Sequence, residues 1–272
     1  MDNLTISIIG LCIGAVLGLT GAGGGMLAVP ALVAGLGLTI QQATPVALIA
    51  VALSAAIGAI DGLKRGLVRY KAAVLMVLVG APCTAIGVRV AALLPQRWLL
   101  ILFAVVMLIA AARLFLRTLE SAASTPDPER QWGRIDAKTG RFQWCWGTAI
   151  LISSIGAVAG FMTGLLGVGG GFIIVPLLRR FTNVAMQGVV ATSLMVIALV
   201  GSAGVVAAIA HGVAIPLQTT IVFAVMAGIG MMVGRKLSAN VSEKAVNRAF
   251  SGVLVVVALG ILAVHGPVAA QR

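Results

Sequence analysis

Long apolar stretches without a charged residue alternate with short polar segments along this chain. The clearest of them cover residues 72–88, 98–112, 184–210 and 215–234. Helices of roughly 20 apolar residues cross a hydrocarbon core of about 30 Å, whereas barrel strands alternate in polarity over about ten residues. The pattern therefore predicts an all-α integral membrane protein, and a composition of 60% hydrophobic and 10% charged residues agrees with it.

One long polar interval, residues 117–141, interrupts the apolar pattern near the middle of the chain. It contains charges of both signs and the run Ser-Thr-Pro-Asp-Pro, a composition typical of a loop or linker. We therefore divide the chain into a first transmembrane repeat, a cytoplasmic linker loop and a second transmembrane repeat. Their predicted bounds are 1–117, 118–142 and 143–272.

The two halves resemble each other at a constant offset of 146 residues. Residues 21–30 and 167–176 both contain Gly-x-Gly-Gly-Gly, then four residues and a proline. The same offset pairs Gly58 with Gly204 and Gly66 with Gly212. Such an internal repeat predicts two structurally related units.

Each glycine stretch interrupts an apolar segment that is too long for one helix. In the first half, residues 5–20 would form a helix of about 24 Å and residues 26–37 one of about 18 Å, both shorter than the hydrocarbon core. We therefore expect each break to lie at membrane depth. Irregular backbone is tolerated there only where it is buried in protein or lines a water-filled cavity.

The distribution of basic residues distinguishes two membrane topologies. Suppose that each broken segment is a hairpin that returns to its starting side, with the N-terminus outside. Each half then has five segments, and only three of the 19 Lys and Arg residues lie outside, namely Arg89, Arg97 and Arg272. A topology with four spans per half leaves about eight outside, so the preference for positive charge inside favours hairpins. The odd number of segments predicts two inverted-topology repeats, each with a glycine-broken helical hairpin followed by three transmembrane helices.

The glycine breaks are candidate anion-binding sites. Helix N-termini bind anions through unpaired N–H groups and a partial positive charge, and glycine allows close backbone approach and positive φ. We expect the short helices beginning near Met26 and Phe172 to direct their N-termini at each other, with hydroxyl groups nearby. The predicted substrate-binding residues are Gly21, Gly23, Gly24, Gly25, Thr44, Gly167, Gly169, Gly170, Gly171, Thr192 and Ser193.

Close helix packing is the alternative explanation for glycine in these segments. The pairs Gly14/Gly18 and Gly160/Gly164 have the four-residue spacing of a packing face, and we predict that role for them. A consecutive run of glycines lacks that spacing, which favours a binding role for the breaks.

Other kinds of chemistry lack the necessary residues. No Gly-Lys-Ser/Thr follows the glycines, which excludes a P-loop, and no cluster with metal-ligand spacing exists. The three cysteines are widely spaced, so we predict neither disulfides nor a metal site. A formal charge of +12 is explained by basic residues beside membrane spans rather than by nucleic-acid binding. We predict no catalytic residues, no cofactor and no enzymatic activity.

A few titratable residues lie at or near the ends of the apolar stretches. Asp61 and His211 occupy comparable places in the two halves, and we expect both to be solvated at the membrane interface. Arg89 lies farther inside a predicted span, where a charge is costly and usually functional, but its side chain is close enough to the span's end to reach the interface.

The two glycine motifs, together with Ala191-Thr192-Ser193 and the eight or so apolar stretches, resemble the TauE/SafE family of sulfite and organosulfonate exporters. The resemblance implies export of sulfite, sulfoacetate or a related organosulfonate across the bacterial inner (cytoplasmic) membrane, by alternating access at a midplane site. An anion channel and a carrier of a different small organic anion are the alternatives. The expected partners of the protein are the small anion and the lipid bilayer. The exact substrate, direction, energy source and formation of a homo-oligomer stay open.

Overall fold

The computed structural model describes residues 3–20, 24–119, 146–182, 184–213, 215–238 and 243–265. These residues form ten helices. In chain order the helices are α1 (Asn3–Thr20), α2 (Gly25–Leu36), α3 (Ile40–Lys64), α4 (Tyr70–Leu93), α5 (Gln96–Leu119), α6 (Trp146–Leu166), α7 (Gly171–Phe181), α8 (Met186–Ala210), α9 (Leu217–Ser238) and α10 (Glu243–His265). The predicted all-helical membrane fold is confirmed, while most of the predicted linker lies outside the described residues.

Seven of the helices are long and apolar enough to cross a membrane, namely α3 to α6 and α8 to α10. The helices α2 and α7, with 12 and 11 residues, are about 18 and 16 Å long, too short to cross a hydrocarbon core. Each of them follows a glycine break and a longer helix, and three long helices follow it, which is the predicted order of elements in each half.

Equivalent glycines end α3 and α8 in the same way. Gly66 and Gly212 have φ of 67° and 73°, a left-handed conformation that favours glycine. The N–H of Leu67 donates to Gly62 O at 3.0 Å, and the N–H of Val213 donates to Ala208 O at 3.2 Å. This C-terminal capping pattern stops both helices at matching positions.

Glycine faces join α1 to α9 and α4 to α6. A Cβ on Gly14 or Gly18 would overlap the backbone carbonyl of Ala227 or Met231. In the other half, Gly160 and Gly164 lie equally close to the carbonyls of Gly80 and Thr84. The predicted packing role of these four glycines is therefore confirmed, and both helix pairs run parallel, because the contact positions increase together.

The helices α3 and α8 cross at the centre and run antiparallel, because Gly62 lies against Ala191 while Gly201 lies against Ala52. Beside them, Asp61 of α3 reaches Arg235 of α9 at the same ends of these two helices. The direction of α3 is thus shared by α1 and α9. The helix α8 runs in the direction of α4 and α6, because Gly80 lies against Val200 and Gly204 lies against Thr84. The equivalent helices α1 and α6, α3 and α8, and α4 and α9 therefore run in opposite directions.

The helices α5 and α10 pack mainly against each other. Phe103, Phe250 and Leu254 are buried along this pair, with 2%, 5% and 0% of their surface exposed. Contacts between this pair and the other helices are sparse. The bundle therefore consists of a tightly packed group around α3 and α8 and an attached α5–α10 pair.

Candidate functional site

The glycine breaks of the two halves meet inside the bundle. A Cβ on Gly25, the first residue of α2, would lie 2.6 Å from the backbone oxygen of Val168 in the second break. Gly167 lies against Thr44 of α3 and Val29 of α2, where its Cβ would be 2.8 and 3.0 Å from their methyl groups. The structure thus brings together the described part of the first break, the second break and Thr44.

The two breaks differ in backbone conformation. Gly167, Gly169 and Gly170 have φ of 71°, 77° and 67°, which an L side chain rarely adopts. Gly24, the equivalent of Gly170, is helical with φ −59°. The expectation that positive φ requires glycine is therefore wrong at Gly24, where glycine is needed instead because a Cβ would overlap the backbone of Leu17. Gly21 and Gly23 lie outside the described residues.

Two of the predicted hydroxyl groups bond within the bundle. Thr192 Oγ1 accepts a hydrogen bond from the Arg69 backbone N–H at 3.0 Å. Ser193 Oγ donates to Val190 O at 2.8 Å. Both side chains are buried, with 2% and 0% of their surface exposed. Thr44, rather than Thr192 or Ser193, is the predicted hydroxyl residue that the structure places against the second break.

Thr20, which the sequence analysis did not single out, forms hydrogen bonds on both sides of the first break. Its hydroxyl donates to Val16 O at 2.8 Å and accepts from the Gly24 backbone N–H at 3.1 Å. The side chain therefore connects the end of α1 to the start of α2 and supplies a partner for an N–H that has no acceptor within its helix.

We expect Thr20→Val to lower the free energy of unfolding by about 1–2 kcal/mol, because the buried Gly24 N–H loses its acceptor. Thr20→Ser keeps the hydroxyl and is the matched control, expected to stay close to wild type. Thermal unfolding of the purified protein in detergent measures both. Equal stability of the two variants would show that the hydroxyl does not hold the break.

A cavity of about 390 Å³ extends from this region along α7. We call it the α7 cavity. Its lining includes Thr20 and Met26 of the first half and Gly171 and Phe172 at the N-terminus of α7. Farther along, it is bounded by the α5–α10 pair. The N-terminus of α7, where helices favour negative charge, therefore borders a space large enough for a ligand.

Three polar residues of α5, α7 and α10 also line the α7 cavity, namely Arg113, Arg179 and Asn247. Gly171 and Arg179 lie eight residues apart on one helix, so their Cα atoms are separated by about 12 Å. The sequence analysis placed Arg113 and Arg179 only among the basic residues on the inner side of the membrane. The spacing of residues in the sequence does not indicate that α5 and α7 are neighbours. The cavity between them was therefore not predictable.

The titratable residues that the sequence singled out link neighbouring helices. Asp61 pairs with Arg65 at 3.1 Å and with Arg235 of α9 at 2.9 Å. At the opposite end of the bundle, Arg89 Nε donates to His211 Nε2 at 3.3 Å. Both contacts are exposed, which suits the expected interfacial location of Asp61 and His211. Within the described residues, no group of three or more His, Cys, Asp or Glu could hold a metal.

Comparisons with known proteins agree with this architecture. Residues 6–261 match the model of a family described as sulfite exporter TauE/SafE. A probable membrane transporter protein of Xylella fastidiosa (strain Temecula1 / ATCC 700964) is 29% identical over 92% of this chain and 91% of the relative. Its counterpart in strain 9a5c is 28% identical over the same shares. No solved structure matches the chain at a significant level.

Proposed function

Because the chain belongs to the TauE/SafE sulfite exporter family, we propose that it exports a small sulfur-containing anion, such as sulfite, sulfoacetate or a related organosulfonate. The protein is a multi-pass membrane transporter with seven candidate spans among the described residues. We assign it to the inner membrane of a bacterium, since its relatives come from a bacterium and a helical bundle suits that bilayer.

The observation that supports this proposal most is the meeting of the glycine breaks beside the α7 cavity. Gly171 begins α7 and lines the cavity, and the second break approaches Gly25 and Thr44 from the other half. Helix N-termini hold oxyanions without a charged side chain. A substrate bound here would contact both halves, so its binding would depend on their relative position.

Alternating access is the mechanism that we propose for this site. The repeat in the sequence and the opposite directions of three equivalent helix pairs support this mechanism. They are features of inverted-repeat transporters, whose two repeats exchange conformations around a central site. The loosely attached α5–α10 pair borders the α7 cavity. A shift of this pair against α6 and α7 would open or close the cavity with little disturbance of the close glycine contacts.

The membrane potential alone could drive export of a negative substrate. An anion that leaves a cell with a negative interior gains about 2.3 kcal/mol per charge for each 100 mV. The described spans contain few acidic residues, so nothing in them resembles the carboxylate chains of proton relays. We therefore propose potential-driven transport of the anion.

Uptake of radiolabelled sulfite and sulfoacetate into proteoliposomes tests the proposal. We expect saturable flux that increases several-fold when the imposed potential favours anion movement, with protein-free liposomes as the control. Single-channel currents in planar bilayers would instead indicate an anion channel. Absence of flux for both anions would contradict the proposed substrates.

A further inference from the structure

We infer that Arg89 and His211 form an acid-sensitive contact, which holds α4 against α8 and is released when His211 binds a proton from the outer solution. In the predicted topology this contact lies at the outer end of the bundle, and the contact between Asp61 and Arg235 lies at the inner end. We call them the outer contact and the inner contact. The outer contact regulates the bundle whichever anion is transported.

The arginines of the two contacts are equivalent residues of the two halves. Arg89 and Arg235 are separated by the repeat offset of 146 residues, and they lie on α4 and α9, the fourth helices of their halves. Arg235 Nη2 lies 2.9 Å from Asp61 Oδ2 on α3. Arg89 Nε donates to His211 Nε2 at the end of α8, at 3.3 Å. Each arginine therefore reaches the end of the third helix of the other half.

The partners of the two arginines have similar positions but different chemistry. Asp61 lies five residues before Gly66, and His211 lies one residue before the equivalent Gly212, so the partners differ by about one helical turn. Aspartate carboxylates ordinarily stay ionised above about pH 5, whereas a histidine ring ordinarily changes its charge between about pH 5 and 8. The two contacts are thus related by the repeat, but only the outer one is expected to respond to mild acid.

A proton on His211 removes the hydrogen bond that defines the outer contact. Nε2 accepts from Arg89 only while the ring is neutral, with its proton on Nδ1. In the protonated ring Nε2 carries a hydrogen and becomes a donor, so two positively charged donors face each other. His211 also caps the C-terminus of α8, where helices favour a cation. The protonated ring supplies that cation, and the helix end then no longer attracts Arg89.

The helices that pack against α8 bring no acidic group to this contact. These helices are α3, α4, α6 and α7. The charged residues of α3, Asp61 and Lys64, lie at its other end, where Gly62 packs against the beginning of α8 at Ala191. The helix α6 contains no titratable residue. On α4, the titratable residue nearest to Arg89 is Cys83, which lies six residues closer to the middle of the helix.

The remaining charged groups also leave a second positive charge unbalanced. Arg179 and Arg180 of α7 lie in its last turn, just before α8 begins and far from His211. Arg97, at the start of α5 on the outer side, is a further cation. Among the described residues, the other acidic one is Glu243, which begins α10 at the inner end. Protonated His211 therefore has no carboxylate among these residues to replace Arg89.

The outer contact lies where the apolar packing of α4 against α8 is ending. Gly204 of α8 still lies against Thr84 of α4. Farther out, Ile86, Val206 and Ile209 are all exposed. Loss of the hydrogen bond therefore leaves the outer ends of the two helices free to separate while their middle parts stay packed. An acidic outer medium then favours an open outer end.

The distance between the outer ends of α4 and α8 tests the inference without any transported anion. Spin labels are attached through Leu93→Cys and Ile209→Cys, two exposed positions, in the full-length protein with Cys12, Cys83 and Cys145 replaced by alanine. Double electron–electron resonance in detergent measures the distance at about pH 7.5 and about pH 5.5, a range in which histidine ordinarily titrates. We expect the mean distance to lengthen by a few ångströms at the lower pH. An unchanged distance would overturn the inference.

Two substitutions assign the response to the outer contact. His211→Asp supplies the carboxylate that the inner contact uses, so we expect the short distance at both pH values. Arg89→Gln removes the charge that repels the protonated ring, and we expect the distance to become independent of pH. Both side chains are exposed, and size exclusion checks that the variants stay folded. A response to pH that persists in either variant would contradict the assignment.

The inner contact provides the matched control. Labels at Leu63→Cys and Leu237→Cys, also exposed, report the inner ends of α3 and α9, where Asp61 and Arg235 pair. We expect no change of this distance over the same pH range. An equal lengthening at the inner end would mean that acid loosens the whole bundle, and the inference would fail.

Discussion

Replacing Gly160 by valine is expected to prevent stable assembly of the helix bundle. A Cβ at this position would overlap the backbone of Gly80 in α4, and backbone atoms cannot move aside as the end of a flexible side chain can. Overpacking a core typically costs about 1–3 kcal/mol, and we expect roughly 3 kcal/mol or more here because two backbones are forced apart. Fluorescence-detected size exclusion and thermal unfolding in detergent measure the loss.

Gly252→Val is the matched control for this substitution. Gly252 also lies within a helix, α10, but nothing comes within 4 Å of a Cβ built there. Both variants introduce the same β-branched side chain into a helix, so their difference reports the helix contact alone. A Gly160→Val protein as stable as Gly252→Val would contradict the proposed close packing of α4 and α6.

Replacing Gly167 by alanine is expected to abolish transport and to destabilise the protein by roughly 3 kcal/mol, through positive φ and crowding. The residue has φ 71°, and the new methyl group would lie 2.8 Å from Thr44 Cγ2 and 3.0 Å from Val29 Cγ2. Movement of α3 or α2 to relieve this crowding would displace the two breaks that we propose as the anion site. Sulfite flux in proteoliposomes and thermal unfolding measure the two effects.

Gly66→Ala separates the contribution of positive φ from that of crowding. Gly66 has φ 67° but nothing within 4 Å of a Cβ, so we expect a cost of only about 1–2 kcal/mol and unchanged flux. The double variant Gly167→Ala with Thr44→Ser removes the nearest methyl group and should recover part of the lost stability. An identical loss in Gly66→Ala and Gly167→Ala would indicate that contact between the breaks is unimportant.

Much of the fold was predictable because its signals are local in the sequence. Apolar length sets where a helix can cross a bilayer, and consecutive glycines interrupt it. The four-residue spacing of Gly14/Gly18 and Gly160/Gly164 predicts a packing face regardless of which helix covers it. The ends of α3 and α8 likewise follow from Gly66 and Gly212, whose left-handed conformation caps a helix by itself.

The candidate site was predictable only in part. The described part of the first break, the second break and Thr44 lie together. Thr192, in contrast, bonds to the backbone of Arg69, which lies 123 residues away in the chain. Gly24 and Gly170 are equivalent in the repeat, yet one is helical and the other left-handed. Backbone conformation at such a position depends on the neighbouring helix, which a repeat of residue types does not encode.

The sequence by itself therefore determined the class of protein, the order and breaks of its helices and the glycine faces. The tertiary structure alone decided that α1 pairs with α9 and α4 with α6, and that α5 and α10 form an attached pair. It also decided that Arg113 and Arg179 line one cavity with Gly171. The physical reason is that periodicity fixes which face of a helix is apolar or small. The partner of that face depends on how the ten helices of the described residues fill space together.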